Sequence, residues 1–214
     1  DYTPITTHQA VELISRLKTM LPKWMRTMRV MRDIPSNLVA AGIKSSNLGQ
    51  LVSEHMKEEG MECQCIRCRE VGQRMKEGVK PNIADINLNR TTYNASGGVE
   101  EFLSFEDEGN DVLLGFLRLR IPHKPFLREL NTDTALVREL HVYGPMLELG
   151  EKPVHEWQHR GYGGELLSKA EEISSEDYGM KRIAVTAGVG ARNYYRKSGY
   201  RLDGRYMLKD LSQT

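Results

Sequence analysis

Cysteine, aromatic residues and net charge are all scarce in these 214 residues: three Cys, 7% aromatic, and a formal charge of +1. The cysteines all fall between positions 63 and 68, too few and too close together for a disulfide framework. No run approaches the roughly 18–20 consecutive apolar residues of a bilayer span, so no membrane partner is expected. The opening DYTPITTHQA has no charged-then-apolar secretory pattern, and a cytoplasmic location is the expectation. The first residue is Asp rather than Met, which reads as a piece of something longer. What is present is 39% apolar and 28% charged residues, a globular mix sized for one or two domains.

The small net charge hides an asymmetry. Residues 1–80 carry 13 Lys+Arg against 9 Asp+Glu, and residues 81–214 carry 17 against 20. Arg16, Lys18, Lys23, Arg26, Arg29 and Arg32 occur with no acid between Glu12 and Asp33, a run suited either to a polyanion or to a solvated helix face. Cys63, Cys65 and Cys68 form C-x-C-x-x-C. Three thiolates fill three of the four tetrahedral positions of zinc, with His55, His123 or His141 as candidates for the fourth. Reduced structural thiols and a sulfur-ligated cluster are the alternatives.

Along the chain, Val11, Ile14, Leu17, Met20 and Leu21 predict an amphipathic helix over 8–21, stopped by Pro22. RVMRDIP reads as a short strand, and residues 36–60 as a loop and a helix closed by Gly60. From about residue 85 the texture becomes alternating: INLNRTTYNASG, GVEEFLSFE and DVLLGFLRLR, the last two a predicted hairpin, then TALVRELHVYG. A loop rich in Pro, Gly and charge leads to a helix with Leu166, Leu167, Ala170 and Ile173 on one stripe, ended by Gly179. KRIAVTAG, a short helix stopped at Gly199, and RYMLKDL complete the chain. The order predicts an α/β (α+β) domain with a central mixed sheet.

QHRGYGGELL places glycines at a strand-to-helix turn, where free backbone N–H groups and the helix dipole form an anion site. No Gly-Lys-Ser/Thr follows, and the G-x-G-x-x-G spacing fails at Leu166, so neither phosphate loop nor dinucleotide fingerprint applies. Q-x-x-G-x-G opening a helix, then a strand, then A-x-x-x-Y-x-x-x-G-Y, resembles the GNAT superfamily of acyl-CoA-dependent acyltransferases over roughly residues 83–214. The resemblance implies a loop cradling the CoA pyrophosphate, with Gln158, His159, Arg160, Gly161, Tyr162, Gly163, Gly164 and Glu165. It also implies a splayed strand for the pantetheine arm, Glu139 with Leu140, His141, Val142 and Tyr143. Tyr195, with Tyr194 beside it, matches the tyrosine near the CoA sulfur and would protonate the departing thiolate; Tyr194 itself reads as core packing. Gly188 stands where many members carry an Asn at the end of the strand.

RVMRDIPSNLVAAGIKSSNLGQLV, CQCIRCREVG, YNASGGVEEFLSFED, RELHVYG and GVGARNYYRKSGYRLDGRYMLKDL together resemble the Elongator catalytic-subunit family in its archaeal or bacterial form. That resemblance implies a tail of a radical SAM barrel at 1–62, a cysteine-cluster linker at 63–82 and a GNAT domain at 83–214. The radical SAM cysteine motif is absent, so no iron–sulfur cluster or SAM site is expected here. The implied activity is acetyl-CoA binding and thioester cleavage in carboxymethylation of C5 of the wobble uridine of tRNA. Glu139 and His141, two apart on a strand and so on one face, are the candidate bases. Lys23, Arg26, Arg29, Arg32 and Lys44, with Trp24 nearby, would meet tRNA phosphates. The cysteines would hold a structural zinc, and the missing radical SAM domain and a second copy of the chain are expected partners. A tRNA- and CoA-binding module without chemistry and a protein lysine acetyltransferase are the competing readings.

Overall fold

The computed structural model describes residues 2–28, 30, 35–125, 127–144 and 161–211. The chain divides into two compact units, residues 1–69 and 70–214. Most of the predicted RVMRDIP strand, with Arg29 and Arg32, and the loop carrying Gln158, His159 and Arg160 lie outside the described residues.

In the first unit, α1 (Thr7–Thr19) starts at a capping box: the Thr6 hydroxyl accepts from the Gln9 N–H, and the Gln9 side chain accepts from the Thr6 N–H. α1 packs on α2 (Leu48–Glu58), which buries Leu48, Val52 and Met56 at i, i+4 and i+8. Of the predicted stripe, Val11, Ile14 and Leu21 are half-buried, whereas Leu17 and Met20, at its C-terminal end, are 51% and 76% exposed; Ala10 and Ser15 are the fully buried residues of the helix. Gly60 closes α2 with a φ of +63°, and α3 (Ile66–Arg69) follows the first two cysteines.

The second unit opens with α4 (Val71–Lys76) and is built on β1 (Ile86–Ala95), β2 (Gly98–Asp107), β3 (Val112–Ile121), β4 (Thr134–Val142), β5 (Arg182–Val185), β6 (Arg201–Asp203) and β7 (Tyr206–Asp210). The spatial order is β1-β2-β3-β4-β5-β7-β6, all antiparallel except the β4–β5 pair. A parallel neighbour requires a crossover, and α5 (Tyr162–Glu172), continued by a π-helical turn to Asp177, lies in that connection. α6 (Arg192–Lys197) follows β5. The predicted hairpin is β2–β3, and β1–β2 turns on Ser96 and Gly97, both at positive φ, the geometry of a two-residue turn that matches strand twist.

One face of the sheet buries Leu103, Leu117, Val137, Ile183 and Met207 against Leu166, Leu167 and Ala170 of α5. Each such side chain contributes about 1.5–3 kcal/mol of burial. Among the described residues no helix is long and apolar enough to cross a membrane.

Two irregularities in β4 set up the site. Opposite β3 the register steps from Arg118↔Glu139 to Leu119↔Val137, leaving Arg138 as an extra, bulged residue. Opposite β5 the pairing stops at Val137↔Val185, while β4 runs on to Val142.

Candidate active site

Past Val137 the strand keeps its bonds to β3 only. The Tyr143 N–H donates to the Leu114 carbonyl at 2.7 Å, so strand alternation turns the backbone groups of Leu140 and Val142 toward the opposite edge, where β5 has ended. An extended arm with amide groups can pair there as a strand would. The bulge at Arg138 sets the phase of this edge.

The N-terminus of α5 lies at the end of the same strand. Gly161 holds a φ of +76° as N-cap. A Cβ on Gly163 would stand 3.0 Å from the Tyr194 hydroxyl and 3.6 Å from Val142 Cγ2, so glycine there lets α5, β4 and α6 meet. A Cβ on Gly164 would meet nothing within 4 Å. Packing does not require this second glycine, which costs helix stability; a bare backbone open to a phosphate fits it. Tyr162 and Glu165 belong to the same first turn, Tyr162 buried against Phe105.

Glu139 and His141 share one face, as alternation requires, with His141 Nε2 3.7 Å from Glu139 Oε1. Arg118 Nε donates to the other Glu139 oxygen at 3.0 Å, and the same guanidinium reaches the Tyr93 hydroxyl and lies over the Phe102 and Phe116 rings. The imidazole stacks on Phe116 at 5.8 Å and on Tyr143 at 5.9 Å, which leaves its edge for Glu139 and solvent. Arg118 and Phe116 are site residues that sequence reasoning missed; only the β3–β4 register brings them opposite Glu139 and His141.

The two tyrosines of α6 differ. Tyr195 is buried, edge-on to Tyr194 at 5.1 Å and to Tyr200 at 5.8 Å. Tyr194, read from the sequence as core packing, is 42% exposed with its hydroxyl over Gly163. Burial pushes both phenols up, with Tyr194 adding to the rise at Tyr195, so both keep their protons at neutral pH.

The Radical_SAM C-terminal domain matches residues 1–58, and the Acetyltransferase (GNAT) family matches residues 82–200. A "tRNA uridine(34) acetyltransferase" of Methanocaldococcus jannaschii is 50% identical over 99% of this chain and 39% of that protein. The chain belongs to the Acetyltransferase (GNAT) family. The human "Elongator complex protein 3" is 44% identical over 98% of this chain and 38% of that protein. The structure of Methanocaldococcus infernus Elp3 with an N-terminal deletion superimposes with a TM-score of 0.89 at 51% identity, over 96% of this chain and 49% of that one. The chain thus spans about two fifths of the length of the curated relatives it matches.

In the first unit of this family member, the sulfurs of Cys63, Cys65 and Cys68 lie within 4.8 Å of one another. Cys65 is fully buried and the other two are half-buried. Hydrogen bonds from Cys63 and Cys68 hold the Cys65 thiol well below its ordinary range, and the bonds to Cys63 and Cys65 push Cys68 up. Three sulfurs this close could hold a single metal ion. No histidine joins them among the described residues, so His55, His123 and His141 are not drawn into this group. Of the predicted RNA-facing residues, Lys23 and Arg26 are half-exposed in an irregular stretch after α1, and Lys44 is exposed before α2.

Proposed function

We propose that this chain supplies the acyl-CoA half of a tRNA-modifying enzyme: it binds acetyl-CoA along the open edge of β4 and, once the acetyl methyl carbon is joined to C5 of the wobble uridine, hydrolyses the thioester so that a carboxymethyl group remains there. The single observation that carries this reading is the divergence of β4 from β5 at Val137, with the glycine turn of α5 against Val142 at the far end.

Leu140 and Val142 pair their backbone with the pantetheine amides. The N–H groups that open α5, from Gly161 to Gly163, take the pyrophosphate, while those of Gly164 and Glu165 donate to the Gly161 carbonyl at 2.8 and 3.1 Å and close the turn. Glu139 and His141 face the thioester from the side of the sheet opposite α5. His141 removes a proton from water as it attacks the carbonyl carbon; the carbon–sulfur bond breaks, and Tyr195 protonates the leaving thiolate. Arg118 holds Glu139 so that its second oxygen orients His141. Formation of the carbon–carbon bond to uridine belongs to the radical SAM part of the full-length relatives. Lys23, Arg26 and Lys44 bind tRNA phosphates, which makes the cytoplasm the place of action. Cys63, Cys65 and Cys68 hold zinc, which ties their loop together.

The test is thiol release from acetyl-CoA by the purified chain with and without tRNA. Release that rises with tRNA and falls in Tyr195→Phe is expected. Both ligands binding without release would make the chain a docking module, and acetyl appearing on lysine peptides without tRNA would make it a protein acetyltransferase.

A further inference from the structure

Lys18 belongs by sequence to the basic run between Glu12 and Asp33, where it reads as one more cation for a polyanion. Its place in the fold is different. Its ammonium group is 3.4 Å from Cys68 Sγ, across fifty positions of sequence, and its side chain is half-buried. On the other side of the cluster the Thr27 hydroxyl lies 3.2 Å from Cys65 Sγ. The Ile66 N–H donates to the Met25 carbonyl, so the stretch after α1 and the cysteine loop are joined by backbone as well.

Charge counting gives these contacts a purpose. A divalent ion on three thiolates leaves one net negative charge, and a half-buried site in which no carboxylate or imidazole joins the sulfurs among the described residues needs a cation to balance it. Donors beyond the ligand atoms also fix ligand orientation and set metal affinity. We infer that Lys18 is the charge-balancing partner of the three-cysteine site: its ammonium neutralises the tri-thiolate complex and donates to Cys68, making it a determinant of metal retention rather than an RNA contact. The inference rests on the metal reading of the cysteines, and not on the acyl-transfer chemistry. Its residue lies on α1, three positions after the buried Ser15, so the helix whose capping box fixes its start also sets the position of the ammonium group.

The experiment compares Lys18→Arg and Lys18→Gln in the full chain, by competition for Zn²⁺ against a chromophoric chelator and by thermal unfolding of the metal-free and Zn²⁺-loaded forms. Arg keeps the charge and Gln keeps only a polar side chain. Lys18→Arg is expected to hold Zn²⁺ close to wild-type strength, and Lys18→Gln to lose roughly 10- to 100-fold in affinity, the range for outer-shell partners. Metal-free unfolding temperatures are expected to match, with the difference confined to the loaded forms; a merely structural lysine would move both. Equal Zn²⁺ affinity in the two variants would overturn the role of Lys18. Wild-type chain that takes up no Zn²⁺ would overturn the metal reading itself, and the role with it. If Lys18→Gln unfolds metal-free, Lys18→Met is measured in its place against the same two outcomes.

Discussion

Replacing Gly164 by Ala should make the protein more stable and its acyl-CoA binding weaker. Gly164 lies in the first turn of α5, its backbone is helical, and an added Cβ meets nothing within 4 Å. Ala in place of Gly in a helix contributes up to about 1 kcal/mol, which for a chain of this size raises the melting temperature by roughly 2–4 °C. The same methyl occupies the space through which a pyrophosphate oxygen would reach the backbone N–H groups. Loss of one hydrogen bond to a charged group costs about 1.5–3 kcal/mol, or roughly 10- to 100-fold in affinity. Calorimetric titration with acetyl-CoA and a thermal scan read the two effects separately. Gly72→Ala is the control, since Gly72 is also helical with nothing within 4 Å and lies in α4; it should raise the melting temperature and leave binding alone. A Gly164→Ala protein that is more stable and binds acetyl-CoA as tightly as wild type would refute the assignment of this turn to the pyrophosphate.

Tyr195→Phe should lower thioester cleavage about 100-fold or more with little change in acetyl-CoA affinity, read as kcat in a thiol-release assay; unchanged kcat would transfer the acid to the exposed Tyr194. Arg118→Met removes both the 3.0 Å bond to Glu139 and the cation over Phe116, and cleavage should fall while the melting temperature drops by only a few degrees. Burial raises the Glu101 carboxyl, but hydrogen bonds from Arg90, Tyr178 and Thr92 outweigh it and hold the group below the ordinary range. Its contribution is therefore present above about pH 4.3 and lost as pH falls through the depressed value. Arg90→Met, which leaves Glu101 buried beside its two hydroxyls, should cost about 3 kcal/mol and move acid unfolding to higher pH. Lys44→Ala should weaken tRNA binding and reduce its salt slope by about one phosphate's worth, roughly 0.7–0.9; an unchanged slope would remove Lys44 from the RNA surface.

Periodicity carried the second unit well. The β2–β3 hairpin, the α5 stripe and the closing glycines Gly179 and Gly199, both at positive φ, are local signals and all lie where the residues place them. The pairing of Glu139 with His141 was also readable, since it needs only strand alternation. What depended on register was not: the bulge at Arg138, the open edge at Leu140 and Val142, and the grip of Arg118 and Phe116 on the Glu139–His141 pair. Tyr194 is exposed rather than packed in the core, and the sequence did not show it because α6 is six residues long, too short for a stripe to show. The predicted α1 stripe holds in part: Val11, Ile14 and Leu21 are half-buried, while Leu17 and Met20 at its end are exposed. The cysteine cluster was legible from spacing alone, while Lys18 lies too far away in sequence for any local signal to connect them.

The most direct test of the account is amide hydrogen exchange of the chain with and without acetyl-CoA. The open-edge assignment predicts new protection at Leu140 and Val142 and at the start of α5 from Gly161 to Gly163, with β1 and β2 unchanged. Acetyl-CoA binding that leaves those amides exchanging as before, or that protects another part of the sheet, would contradict it.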